Sequence, residues 1–269
     1  MYKLIALDMD GTLLRSDGTI SERTQAAIRA AHQQGVQVVL ASGRPFEGIE
    51  RYLEQLGLTS EKDFALNYNG AVLTNVGTRE IIRSNLLTGK DIREVYAFSQ
   101  QVGVNTHAFS TELGLITPKA SKYTEHERDM NGIPMNIVDF AALPVDHPVI
   151  KIMLVDEPDV LQQGVDQLPT SYYDRFTVVR SAPFFLEVLN KSSDKGTGVA
   201  GLAQHLGIRQ DEVICVGDAG NDLHMIDYAG LGVAMGNAFA EVKAIADYIT
   251  TSNNDDGVAH VIEKFILDA

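Results

Sequence analysis

The sequence predicts an α/β fold: a doubly wound parallel sheet with an α+β domain inserted into it. Three observations lead there. Short apolar runs alternate with stretches of helical period at both ends of the chain, the alternation breaks off near Ile82 and returns near Gly196, and polar clusters stand directly after several of the apolar runs. Alternating strands and helices build parallel βαβ units, whereas strands that follow one another directly build antiparallel sheet.

The elements justify this in order. KLIALD opens the chain as a strand, and SERTQAAIRAAHQQG follows as a helix, with Ser21 at its N-cap, Ala27, Ile28 and Ala31 on one face and Gly35 as its stop. VQVVLAS is the second strand. GRPFEGIERYLEQLG is a helix opened by Pro45, where a missing N–H costs little, and FALNYNGAVLTN reads as a hairpin through Asn69-Gly70. VNTHAFS, LGLITP, VIKIMLVD and FTVVRSAPFFLEVLN then read as strands, with helices expected in TGKDIREVYAFSQQVG and EPDVLQQGVDQL. Alternation resumes with GTGVAGLAQHLG, EVICVGD, DLHMIDYAG, LGVAMG and AEVKAIADYI. The expected division is a core domain of residues 1–83 and 189–269, interrupted by an inserted domain of residues 84–188.

Composition narrows the function. With 22 Lys and Arg against 36 Asp and Glu, the 269-residue chain carries a formal charge of −14, which disfavours nucleic acid or an anionic membrane as partner. An anionic substrate would need its own cationic site. The single cysteine, Cys215, lies in an apolar run and reads as a core residue of a protein in a reducing compartment. The opening residues enter the first strand at once, and no long apolar span follows, so a cytoplasmic protein, monomeric or homodimeric, is expected.

In an open parallel sheet, ligands bind outside the carboxyl ends of the strands. Three polar clusters fall at such ends: DMDGT at 8–12, SGRP at 42–45 and GDAGND at 217–222. Any one of them could be a polar turn with a cap. Three together point to a site. Asp8 and Asp10 face the same side if the strand persists through them, and Gly11 lets the backbone turn. Asp8, Asp10, Asp218 and Asp222 would gather up to four carboxylates, each close pair repelling by roughly 4 kcal/mol at an effective dielectric near 20. Such a group calls for a divalent cation, and an all-oxygen set suits Mg²⁺ better than Zn²⁺. An EF-hand is excluded, because Gly11 comes too early for that loop and Thr19 stands where its bidentate acid belongs.

A carboxylate nucleophile, a neighbouring acid and Mg²⁺ together fit phosphoryl transfer through an aspartyl-phosphate. Asp8 would attack phosphorus, and Asp10 would protonate the leaving oxygen and later activate water. Ser42 and the Gly43 N–H would hold phosphoryl oxygens at a helix start. Lys195, just ahead of a helix, is the best candidate for the balancing cation. Met9 and Arg44, within the same clusters, complete the residues expected to face substrate.

These motifs in this order resemble the haloacid dehalogenase superfamily. DMDGT matches its first motif, SGR its second, Lys195 its third and GDAGND its fourth, while NYNGA, SAPFFLEVLNKSSDKGTG and GVAMGNA look like the Cof-type branch, in which sugar phosphatases come nearest in pattern. The resemblance implies a Rossmann-like core with a type-IIB cap inserted between the second and third motifs, and hydrolysis of small phosphorylated metabolites, sugar phosphates first among them. It further implies Asp8 as nucleophile and Mg²⁺ ligand, Asp10 as acid/base and ligand through its carbonyl, and Asp218 as the third protein ligand. Asn221 would touch phosphate or substrate, and Asp222 would support the metal or Lys195. Asp10 favours hydrolysis over the transport ATPases, which carry threonine there, but leaves a sugar-phosphate mutase open.

Two readings compete from other classes. GTGVAG, residues 196–201, matches the dinucleotide fingerprint G-x-G-x-x-G of an NAD-dependent oxidoreductase, with Asp218 as a possible ribose-binding acid. That fingerprint should follow a strand immediately, whereas KSSDK intervenes. A non-catalytic sensor of phosphorylated metabolites is the other. His107, His126, Tyr123, Tyr172 and Tyr173, all in the inserted domain, read as packing or surface residues, with a few expected near the leaving group.

Overall fold

The computed structural model of the protein describes residues 1–268, which divide into two compact units, 1–83 with 194 onward, and 84–193. The first unit opens with β1 (Leu4–Leu7), α1 (Glu22–Gln33), β2 (Gln37–Ala41), α2 (Phe46–Leu56), β3 (Phe64–Asn67), β4 (Val72–Asn75) and β5 (Ile81–Ser84). Ser21 caps α1 by accepting the Thr24 N–H at 3.1 Å, and Ala27, Ile28 and Ala31 are buried on its inner face. β3 and β4 pair antiparallel, with Asn67 opposite Val72. The two-residue turn expected between them is instead a longer one, in which Tyr68, Asn69 and Gly70 all take positive φ (52°, 54° and 83°).

The second unit runs through α3 (Gly89–Val102), β6 (Asn105–Ser110), β7 (Gly114–Thr117), α4 (Lys122–Asn131), β8 (Met135–Ile137), β9 (Val149–Val155), α5 (Pro158–Val165), α6 (Thr170–Arg175), β10 (Phe176–Ala182) and β11 (Phe185–Asn190). Its sheet has the order β10-β11-β9-β6-β7-β8 and is antiparallel except where β7 meets β8. FTVVRSAPFFLEVLN is thus two strands, with Ala182 opposite Phe185 across the bend. The domain boundary expected after residue 188 cuts β11. Leu189 pairs with Thr177 and Lys151, and Asn190 with Phe176, so the ladder carries the second unit on to residue 193. α4 was not anticipated, because KYTEHERDMN lacks an apolar stripe; Ser121, which accepts the Thr124 N–H at 3.3 Å, starts it.

The chain then returns to the first unit with α7 (Lys195–Leu206), β12 (Val213–Gly217), α8 (Leu223–Tyr228), β13 (Leu231–Ala234), α9 (Ala240–Ile245), β14 (Tyr248–Ile249) and α10 (Gly257–Ile262). Its eight-stranded sheet has the order β14-β13-β12-β1-β2-β3-β4-β5, and β14 through β3 are parallel. The fold is therefore α/β, a doubly wound core with an α+β insertion. Every residue of β1 is fully buried, as suits a strand covered on both faces, and each of its Leu and Ile side chains contributes about 1.5–3 kcal/mol. From β1 the chain winds outward through β2 and β3, then comes back to β12 on the other side. That reversal makes the carboxyl end of β1 a topological switch point, where such sheets hold ligands. Among the described residues, no helix is long and apolar enough to cross a membrane.

Candidate active site

β1 ends at Leu7, before either acid of DMDGT, so a turn and not strand alternation sets their directions. Asp8 still donates its N–H to Val216 at 3.0 Å, but Thr12 and Leu14 fold back onto the Met9 carbonyl at 3.3 and 2.8 Å. Asp8 is left buried, while the Asp10 side chain is 62% exposed. Gly11, at φ +86°, serves this turn in two ways. Its left-handed backbone is open to glycine, and any Cβ there would run into the Asp218 carboxylate.

Asp8, Asp218 and Asp222 offer carboxylate oxygens within 4.8 Å of one another. Lys195, the first residue of α7 and fully buried, pairs with Asp8 and with Asp222 Oδ1 at 2.7 Å. The other Asp222 oxygen accepts the N–H groups of Asp218 (2.9 Å) and Ala219 (3.0 Å). Asp222 therefore shapes its own loop and anchors the lysine. Thr12 Oγ1 donates to Asp218 Oδ1 at 2.9 Å.

Burial and the Asp222 charge hold the Asp8 carboxyl well above its usual range, although Lys195 opposes them. Burial likewise raises Asp218, against the pull of the Thr12 hydrogen bond. For Lys195, burial works to lower the pKa, but Asp222 and Asp8 outweigh it, and the ammonium stays charged. With all three carboxyls ionised, one ammonium would leave two negative charges uncompensated, which a divalent cation would balance. The donors are all oxygens, and Asp8 and the half-buried Asp218 are the two carboxylates not already saturated by backbone N–H groups, so the residues fit a hard cation.

The Asp10 carboxylate lies outside that group, held in a bidentate pair by Arg44 Nη2 (2.6 Å) and Nε (3.1 Å). Burial works to lower the Arg44 pKa, and Asp10 raises it overall. Arg44 thus engages the acid/base candidate, a contact the sequence reading did not assign to it. Ser42 is buried after β2, and its Oγ accepts the Arg44 N–H at 3.1 Å, an arrangement that lets the hydroxyl donate its proton elsewhere. Gly43 follows, just ahead of α2. Asn221 donates Nδ2 to Asn69 Oδ1 at 3.1 Å.

Met9 needs correction. Its side chain is fully buried in the core, because the turn after β1 directs it inward, so it cannot touch substrate as a side chain. GTGVAG lies inside α7, separated from the end of β11 at Asn190, and its glycines meet neighbouring backbone and side chains instead of a strand-to-helix phosphate turn. Cys215 is buried in β12, where burial and Asp222 push its thiol up and away from nucleophilic use. Thr12 and Asn69 received no role from the sequence, although both lie in stretches it singled out, DMDGT and NYNGA.

A doubly wound sheet whose switch point gathers three carboxylates around a buried lysine defines an α/β enzyme built for chemistry on an anionic group. The family model of haloacid dehalogenase-like hydrolases matches residues 5–262, and the chain belongs to that family and is a phosphatase of it. It is 42% identical over 269 residues to the putative phosphatase YxeH of Bacillus subtilis, covering 99% of each chain. A haloacid dehalogenase-like hydrolase from Bacteroides thetaiotaomicron superposes with a TM-score of 0.87 at 34% identity, covering 99% of this chain and 100% of that one. The subclass IIB sugar phosphatase BT4131 does so with a TM-score of 0.80 at 26% identity, covering 98% of each.

Proposed function

We propose that this phosphatase hydrolyses small phosphorylated metabolites, with sugar phosphates as the leading class, through an aspartyl-phosphate on Asp8 and with Mg²⁺ as cofactor. The observation that carries the reading is the buried lysine pinning Asp8 and Asp222 beside Asp218 at the carboxyl edge of the sheet. Mg²⁺ would be held by Asp8, Asp218 and the Asp10 carbonyl, and when bound it supplies neutralisation of the carboxylate and phosphoryl charge. Lys195 orients the Asp8 oxygen. Ser42, Gly43 and Asn221 bind the phosphoryl oxygens. As the Asp8 oxygen forms its bond to phosphorus, the bond to the ester oxygen breaks and Asp10 gives that oxygen a proton. Asp10, now a carboxylate, takes a proton from the water that attacks phosphorus, which frees phosphate and restores both acids. The sugar phosphatase BT4131, similar in sequence and fold, supports the substrate class.

The test is release of inorganic phosphate from p-nitrophenyl phosphate and from a panel of sugar phosphates, with Mg²⁺ and with EDTA. Turnover dependent on Mg²⁺, with phosphate and alcohol formed in equal amounts, is expected. Equal rates in EDTA would remove the metal, and isomerised sugar phosphate without free phosphate would replace the hydrolase by a mutase.

A further inference from the structure

The stretch NYNGA has no part in the chemistry above, yet among the described residues it carries the longest run of positive φ. Tyr68, Asn69 and Gly70 are consecutive and all left-handed, with φ of 52°, 54° and 83°. For a residue other than glycine this conformation costs about 1–2 kcal/mol, least for asparagine, so three in a row persist only where the surroundings demand them. Gly70 has no alternative, because a Cβ there would collide with the Asp194 carbonyl, immediately before Lys195.

The turn delivers its donors to the neighbouring loop. Tyr68 N–H donates to the Arg44 carbonyl at 3.2 Å, and Asn69 N–H donates to the Ser42 carbonyl at 2.9 Å. The Asn69 side chain is buried and lies against Gly43, where an added Cβ would stand 3.2 Å from its Nδ2. Its Oδ1 accepts the Asn221 amide at 3.1 Å. Ser42 follows β2 and Asn221 follows β12, two strands separated by β1. Asn69, following β3, therefore ties together two loops that share no ladder.

We infer that Asn69 is a positioning residue for phosphate binding: it aligns the Ser42–Gly43 loop and the Asn221 side chain, from opposite sides of β1, on one phosphoryl group. The assignment rests on the phosphatase reading for its chemistry but on the turn and its hydrogen bonds for its geometry. It explains why the turn is left-handed. With that backbone, one residue presents its N–H to Ser42 and its side-chain oxygen to Asn221.

Asn69→Gly separates the two contributions, since glycine accepts the left-handed backbone and keeps the N–H while losing the bridge to Asn221. The full chain is compared as wild type, N69G, N221A and N69G/N221A, with p-nitrophenyl phosphate as substrate and inorganic phosphate as the bound probe. N69G is expected to lower kcat/KM about tenfold, carried mainly by KM, and to weaken phosphate inhibition by the same factor, as befits a charge-assisted contact set loosely. The double variant should be no worse than N221A alone, because the two residues act as one unit. Losses that multiply in the double variant, or wild-type kinetics in N69G, would overturn the inference. Should N69G fail to fold by thermal melting, Asn69→Ser, too short to reach Asn221, is expected to show the same KM effect, and wild-type kinetics in it would be equally fatal. Phosphate-induced thermal stabilisation gives a readout that needs no turnover. Wild-type protein that binds phosphate more tightly than N69G without hydrolysing esters would remove the phosphatase reading and keep this inference, whereas equal binding removes the inference whatever the turnover.

Discussion

Each of the two units buries one lysine between two acids, and the proposed function draws on only one of these clusters. In the core, Lys195 lies 2.7 Å from Asp222 and pairs with Asp8. In the insertion, Lys151 lies 3.4 Å from Glu187 and 4.0 Å from Glu127, with all three almost wholly buried. The difference is where on the sheet the groups stand. Lys151 and Glu187 project from mid-strand positions of β9 and β11, where the neighbouring backbone is committed to the ladder, and Phe109 sits beside the ammonium with its ring centre 5.0 Å away. Asp8 and Asp222 follow the ends of parallel strands, where N–H groups of the loop turn toward Asp222 and the half-buried Asp218 adds a further carboxylate. Both units thus hold a buried charge triad, and the proposed function rests on the one at the carboxyl edge of a parallel sheet, where such folds hold ligands.

Exchanging the acids tests that contrast most strongly. Asp8→Asn is expected to cut phosphate release by about 10⁴-fold or more while the melting temperature holds or rises, since it removes a carboxyl whose burial already opposes ionisation. The matching change Glu187→Gln should register in unfolding experiments and leave phosphate release per folded molecule unchanged. Strong loss of turnover in E187Q would make the two clusters functionally alike.

Exchanging the lysines comes next. Lys195→Met and Lys151→Met each leave buried carboxylates without their cation, for an expected loss of about 3–5 kcal/mol in urea unfolding. Only the first should also abolish phosphate binding. The insertion cluster should then be replaceable as a whole: Lys151→Met combined with Glu127→Leu and Glu187→Leu is expected to regain wild-type stability or exceed it, because an apolar triad avoids the desolvation cost. A triple variant no better than K151M would show that those charges do more than fill the interior.

The smallest effect concerns His107, which packs in the insertion between Thr124 and Met153. Burial and the Lys151 charge lower its pKa to about 3, below the usual histidine value of 6.5. Its neutral form is the one the fold accepts, so its contribution is fully present above pH 6.5 and is lost as pH falls toward 3. The slope is about 1.4 kcal/mol per pH unit in that window. His107→Phe should flatten the stability difference between pH 6 and pH 4, measured by urea unfolding. An unchanged slope would mean that the ring is already charged in the folded state.

Much of the core was legible because local rules and global fold agree there. Ser21 caps α1, apolar runs became strands, and the acids of DMDGT and GDAGND ended up at the edge where parallel strands expose loop donors. The insertion was less legible. α4 has no apolar stripe, β11 runs past the expected boundary, and Lys151 and Glu187 interrupt apolar strands with no local sign of a shared partner.

By itself the sequence determined the order of the elements, the excess of carboxylates at strand ends and the need for a cation to meet them, since these follow from periodicity and charge. Only the tertiary structure decided which partner each of these side chains meets. Asp222 is consumed by Lys195 and its own loop, Asp10 turns to Arg44, Met9 goes into the core, and Asn69 joins two loops far apart in the chain. These outcomes depend on which backbone N–H groups and which opposite charges come within about 3 Å after folding, and no local spacing encodes that distance.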